Sequence, residues 1–195
     1  MHQFLDLSLH LDYWDETIRI YTDSFPKWER EDTSNILKNI KNGTYKMFSY
    51  LEDGVVVGFY ILDINSSLNY ALFSFLAIKE SRRGEGLGSK LCLSAIEYFH
   101  KNIKSDWLFI EAQQRQAELY KKLGFSKLSL DYRVPEFHSS NSVVMNLMLL
   151  KKNKELDAHS LKKIIKDIFH RGYSLVDTDM RIQEQIDRID EIKLI

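Results

Sequence analysis

Arg83-Gly84-Glu85-Gly86-Leu87-Gly88-Ser89 is the stretch on which the fold turns. Just before it stands Tyr70-Ala71-Leu72-Phe73-Ser74-Phe75-Leu76-Ala77-Ile78, an almost wholly apolar run of strand length. Such a run reads as a central strand buried on both faces. Just after it, Leu91, Ala95, Tyr98 and Phe99 recur at helical spacing. A strand, a glycine turn and a helix in that order bring the helix's first amides to the end of a sheet. Those amides have no partner within the helix. With the helix dipole they suit an anion such as a pyrophosphate. The glycines let the backbone turn sharply and approach a ligand closely. Arg82 and Arg83 add positive charge.

Working outward, Gln3–Ser8 alternates as a half-buried strand, and Asp12 is placed to cap a helix carrying Trp14, Ile18 and Tyr21. Pro26 interrupts it, and a second helix carries Ile36, Leu37 and Ile40 up to Gly43. Thr44–Glu52 and Val55–Asp63 face each other across Asp53-Gly54, a strong hairpin turn. Beyond the glycine stretch come a strand at Trp107–Ala112, a helix at Gln114–Leu123 closed by Gly124, and strands at Phe125–Asp131 and Val143–Leu150. The last two flank a loop with Tyr132, Pro135 and His138. The composition shifts after Leu150. Leu161, Ile164, Ile165 and Ile168 line one helical face that Gly172 is expected to end, and Ile182, Ile186, Ile189 and Ile192 mark a last helix. The chain thus divides into a domain over 1–150 and a helical C-terminal extension over 151–195, expected to pack on the core or on a second subunit as a homodimer would.

Three kinds of phosphate loop compete for the glycine stretch. A nucleoside-triphosphate loop needs Lys then Ser or Thr after its last glycine, whereas here Ser89 precedes Lys90. The dinucleotide fingerprint is G-x-G-x-x-G near a first strand, whereas this is G-x-G-x-G after a fourth. The third pattern is R-x-x-G-x-G, met by Arg83, Gly86 and Gly88. It resembles the coenzyme A pyrophosphate loop of the GNAT (Gcn5-related N-acetyltransferase) superfamily. A second block agrees: Ala117-Glu118-Leu119-Tyr120-Lys121-Lys122-Leu123-Gly124-Phe125 is similar to that family's A-x-L-Y-x-x-x-G-F. The element order β-α-α-β-β-β-α-β-α-β-β matches too, over Met1–Leu150.

The resemblance implies an α/β (α+β) fold, with a mixed, mostly antiparallel and splayed central sheet flanked by helices. It implies an acetyl-CoA-dependent N-acetyltransferase that passes the acetyl group directly to a primary amine in a ternary complex. A GNAT-fold module that binds coenzyme A without catalysis is the alternative. The coenzyme would run along Leu76, Ala77 and Ile78, with its pyrophosphate on Arg83, Gly84, Glu85, Gly86, Leu87, Gly88 and Ser89. Gln113 stands where relatives carry an asparagine for the pantetheine amide. Tyr120 resembles the general acid that protonates the departing thiolate; a packed helix tyrosine is the other reading. Relatives often carry a base on the fourth strand, but Tyr70–Phe75 holds no carboxylate. Glu111 is then the candidate base, beside the readings of a solvated strand-end carboxylate or a water relay. Phe25, Glu29 and Tyr132 fall where the family's acceptor pocket lies, and an acid among aromatics suits a cationic amine.

Composition narrows the partners. The 195 residues carry 27 basic and 28 acidic side chains, no footprint for nucleic acid. No stretch approaches the roughly 18 apolar residues of a membrane span, and the start lacks a signal peptide's pattern, so a cytoplasmic protein without membrane attachment is expected. A single cysteine, Cys92, excludes an internal disulfide, and no Cys/His spacing suits a metal.

Overall fold

The computed structural model describes residues 2–190. Ile192, expected on the last helical face, lies outside them. The chain forms two compact units. One holds the residues up to Asn65 together with Ala71–Lys104; the other holds Ser66–Tyr70 and the residues from Ser105 onward.

In the first unit, strands β1 (His2–Asp6), β2 (Tyr45–Glu52), β3 (Val55–Asn65) and β4 (Tyr70–Ile78) lie in that order. The β1–β2 and β2–β3 pairs are antiparallel. Asp53 and Gly54 both take positive φ (49° and 81°), as the two-residue hairpin requires. Alternation along the strands sorts their side chains. Met47, Phe59 and Ile61 join Ile20 and Tyr21 of α1 (Trp14–Ser24) and Ile36 and Ile40 of α2 (Thr33–Lys41) in one apolar cluster. Phe48 and Tyr60 serve α3 (Leu87–Asn102): Phe48 lies 4.7 Å from Tyr98, and the Tyr60 hydroxyl meets Ser94 Oγ at 3.3 Å. Gly58 is where the backbones crowd. A Cβ there would stand 2.7 Å from Ile78 Cδ1, 2.9 Å from the Ala77 carbonyl oxygen and 3.1 Å from Leu91 Cδ2. The missing side chain is what lets the end of β4 and helix α3 close onto β3.

In the second unit, β5 (Trp107–Ala112), β8 (Ser142–Lys151) and β6 (Ser126–Lys127) lie in the order β5-β8-β6, and β7 (Tyr132–Pro135) also pairs with β8. The three pairs with β8 are antiparallel. Helices α4 (Gln114–Lys122), α5 (Ala158–Tyr173) and α6 (Met180–Asp190) complete it. The extension packs into this unit. Leu161, Ile164, Ile165 and Ile168 are buried, the Tyr70 hydroxyl donates to Asp167 (2.7 Å), and Gln185 bonds the backbone of both Arg133 (2.9 Å) and Asp131 (3.1 Å).

Three local expectations change. Asp12 sits inside a 3-10 turn, Leu11–Tyr13, and no side chain caps α1. The strand expected over Phe125–Asp131 shrinks to two residues, while a strand forms at Tyr132–Pro135, where a loop was expected. Tyr132 and Val134 are buried and Arg133 exposed, a strand's alternation, and Pro135 occupies the strand's last place, where a proline is tolerated. Gly172 lies within α5. Ser174 takes the left-handed turn after it (φ 56°), and the Leu175 amide closes back onto the Phe169 carbonyl at 3.1 Å.

Candidate active site

The glycine stretch divides its residues by role. Gly84 and Gly86 have φ of 87° and 77°, values that side chains rarely adopt. Gly88 does not, and a Cβ on it would meet nothing within 4 Å. Neither backbone strain nor packing explains that glycine; open room beside the helix's first amides does. Gly86 is the N-cap of α3 and has no side chain to accept from them, and the first bond of the helix runs from Lys90 N to Gly86 O. Buried Leu87 anchors this end of the helix. The result is a cradle of outward N–H groups into which an anion fits.

The two arginines, equivalent in the sequence, differ in the fold. Arg82 is clamped between Glu52 (2.5 Å) and Glu85 (2.7 Å), and its pull holds both carboxylates below the usual range. That clamp ties the loop to β2 and consumes the charge. Arg83 forms no ion pair among the described residues. Its Nε donates to the Ile78 carbonyl and its Nη2 to Ser24 Oγ, both at 3.2 Å. Two of its five donors are used, and its charge is uncompensated at the mouth of the cradle. A second pair steadies α3: Lys90 Nζ donates to the Tyr50 hydroxyl, which donates in turn to Glu52 (2.8 Å).

Beside the loop, an open cleft of about 670 Å³ is lined by Arg19, Lys79 and Arg83 against Glu16, Asp23 and Glu80. Ala77 and Ile78 are buried at the end of β4, and Leu76 is half-buried. Phe25 stacks edge-on against Phe75 of β4 (5.2 Å) and tilts against Tyr21 (5.5 Å). Glu29, in the turn Lys27–Glu29, has its pKa raised by partial burial. Close by, Glu31 is buried and accepts from the Tyr45 hydroxyl at 2.9 Å, while Tyr21 donates to its backbone oxygen at 3.1 Å. Nothing in the sequence pattern distinguished Glu31 from its solvated neighbours.

In the second unit, Tyr120 lies on α4 with its ring 5.8 Å from Phe125, and its carbonyl accepts from Leu123 and Phe125 at 3.0 Å each. The Tyr-to-Gly-Phe spacing thus closes the helix on the tyrosine's own backbone. Gln113 is the exposed N-cap of the same helix. Glu111, on β5, has both carboxylate oxygens occupied. Oε1 accepts from the Tyr132 hydroxyl (2.5 Å) and Oε2 from the Tyr173 hydroxyl (2.6 Å). Part of the residue still meets solvent, yet burial of the carboxylate raises its pKa, and the two phenols act against that rise. Glu111 is therefore no loosely solvated strand-end acid. Tyr132, expected in the acceptor wall, has no exposed surface and gives its hydroxyl to Glu111. So placed, it offers an acceptor nothing to touch, and that expectation is dropped. Tyr173 lies outside the part of the chain that the resemblance covers, and no motif pointed to it.

Cys92 is buried and burial raises its thiol pKa to about 12, so it stays a packed thiol. Among the described residues, no group of three or more His, Cys, Asp and Glu could hold a metal ion, and no helix is long and apolar enough to cross a membrane.

A strand, a glycine turn with two left-handed glycines and a helix, set in an α/β frame, define a class of protein whose helix N-terminus opens at a sheet end. Residues 14–125, more than half of the chain, match the acetyltransferase (GNAT) family, and the chain belongs to it. It is an acyltransferase of that family, with the family's mixed sheet flanked by helices. A Bacteroides thetaiotaomicron protein assigned to the GNAT family superposes with a TM-score of 0.72 at 17% identity, covering 89% of this chain and 99% of its own. The ribosomal-protein-S18-alanine N-acetyltransferase of Escherichia coli does so with 0.57 at 20% identity, over 80% and 97%. The protein yncA of Salmonella typhimurium, whose structure holds its cofactor acetyl-CoA, gives 0.59 at 17%, over 80% and 96%. Among curated proteins the chain has no match.

Proposed function

We propose that this protein is an N-acetyltransferase that moves the acetyl group of acetyl-CoA to a primary amine, both bound at once. The observation that carries the reading is the cradle at the N-terminus of α3: free amides, open room at Gly88 and an uncompensated Arg83. Acetyl-CoA, when bound, supplies an activated acyl thioester. The amides of Gly84–Ser89 and the Arg83 guanidinium hold its pyrophosphate, as a helix N-terminus holds an anion. Leu76–Ile78 carry its pantetheine arm, with Gln113 reaching its amide, and a β4 amide donates to the thioester carbonyl oxygen as charge builds there.

The acceptor arrives as an ammonium ion and must lose a proton before it can attack. Glu111 takes it: each carboxylate oxygen keeps a second lone pair beyond the one a phenol occupies. A base whose proton affinity burial has raised is better matched to an amine than an ordinary carboxylate is. The new bond joins the amine nitrogen to the acyl carbon, the carbon–sulfur bond breaks, and Tyr120 gives its hydroxyl proton to the leaving sulfur. Phe25 and Glu29 supply an apolar wall and a negative charge for the amine. In this reading the protein uses neither metal nor acyl-enzyme.

Calorimetric titration with acetyl-CoA, with NAD as control, tests the reading. Micromolar binding of acetyl-CoA alone, followed by acyl-dependent thiol release across an amine panel, is expected. Absence of acetyl-CoA binding would refute it. Binding without transfer to any amine would leave a coenzyme A-binding module instead.

A further inference from the structure

The helical extension lies beyond residues 14–125, the part that matches the family, yet it touches the candidate base. Tyr173 is the last residue of α5 and Tyr132 the first of β7. They stand 62 and 21 residues from Glu111 in the chain, and each gives its hydroxyl to a different oxygen of the same carboxylate. An aromatic group fixes the two rings. Phe169 lies 6.0 Å from Tyr132 and 5.9 Å from Tyr173, and Phe137 lies 5.1 Å from Tyr173. We propose that Tyr173 and Tyr132 are positioning residues for the base: by donating to both oxygens of Glu111 they fix its orientation and hold it ionised, which makes the C-terminal extension part of the acetyltransfer machinery. The inference rests on Glu111 being the base.

The physical argument is a competition over one charge. Burial favours the protonated acid, and an acid already protonated cannot accept the amine's proton. Hydrogen bonds donated to the carboxylate favour the charged form. Among the described residues, burial and the two phenols act on the Glu111 charge, and no cation does. β8 opposes it with Leu147, β7 and α5 bring the two phenols, and Tyr70 acts on Tyr132. The Tyr132 phenol itself stays protonated, since burial and the neighbouring carboxylate push its pKa well up. It is a donor throughout the working pH range. Tyr173 is the partly exposed member of the pair, so its hydroxyl can be removed with the least disturbance of packing.

The test compares Tyr173→Phe, Tyr132→Phe and Glu111→Gln in the full chain, by the pH profile of kcat/KM and by carbon-13 titration of the Glu111 carboxyl, assigned through its loss in Glu111→Gln. Removing one charge-assisted donor moves the acid limb up by about one pH unit. The carboxyl titration moves with it, and the rate on the high-pH plateau falls because the carboxylate loses one of the two bonds that orient it, while the affinity for acetyl-CoA stays near wild type. If Tyr132→Phe fails to fold, Tyr173→Phe carries the result. A limb and titration unmoved in Tyr173→Phe, with the limb lost in Glu111→Gln, overturn the inference and leave Glu111 as base. A profile unchanged in Glu111→Gln overturns the base assignment and the inference with it.

Discussion

Glu31→Gln makes the protein more stable, and only above acid pH. Glu31 is 6% exposed, and its pKa is raised from an ordinary 4.5 to about 7, first by burial and then by the charges of Asp63 and Asp32, against the donated bond from Tyr45. Below pH 4.5 the group is protonated in both the folded and the unfolded chain and contributes no pH-dependent penalty. As pH rises toward 7 the unfolded chain releases its proton while the folded protein keeps it, so unfolding is favoured and stability falls. Above 7 the folded protein carries the buried charge and the loss is complete. A gap of about 2.5 units at about 1.4 kcal/mol per unit makes this about 3–4 kcal/mol. A glutamine cannot ionise, and its amide oxygen still accepts from Tyr45. Urea unfolding of both proteins from pH 4 to pH 8, followed by circular dichroism, should show equal stability at pH 4. The variant should gain up to about 3–4 kcal/mol by pH 8. A difference that does not vary with pH would refute the reasoning. The position matters because Glu31, bonded by Tyr45 and Tyr21, pins the end of the segment that carries Phe25 and Glu29.

Gly58→Ala should cost about 1–3 kcal/mol, the range for overpacking a filled core, and should weaken acetyl-CoA binding, because the added carbon meets the Ala77 carbonyl oxygen, which moves only if β4 moves. A variant with wild-type thermal stability would show that β4 and α3 do not need that contact. Gly88→Val faces open space at ordinary φ, so it should change stability by less than about 1 kcal/mol while lowering acetyl-CoA affinity at least tenfold by calorimetry; unchanged affinity would remove the pyrophosphate from this cradle. Tyr120→Phe keeps the ring packed on Phe125 and should lose about 100-fold in thiol release with acetyl-CoA affinity intact. Equal turnover would return Tyr120 to a packing role.

What the sequence determined by itself was local. A period of two, a period of 3.6 and the turn chemistry of Asp53-Gly54 are read within a window of a few residues, and they placed β4 at Tyr70–Ile78 and β5 at Trp107–Ala112 as the structure has them. The spacing of Arg83, Gly86 and Gly88 was legible for the same reason, since a loop that wraps one anion is a local object. The short β7 was also within reach, through the alternation of Tyr132, Arg133 and Val134, but Pro135 masked it. Tertiary structure alone decided which charges are compensated and which are buried. Arg82 and Arg83 are adjacent and alike in the chain; only the arrival of Glu52 from β2 neutralises one of them. Glu31 differs from Asp32 only in facing inward, to Tyr45. Glu111 gains its two phenols from 21 and 62 residues away. Periodicity says which face of an element is apolar. It does not say which distant side chain will share that face, because strand order and helix docking set that, and with it the proton affinity of every buried acid.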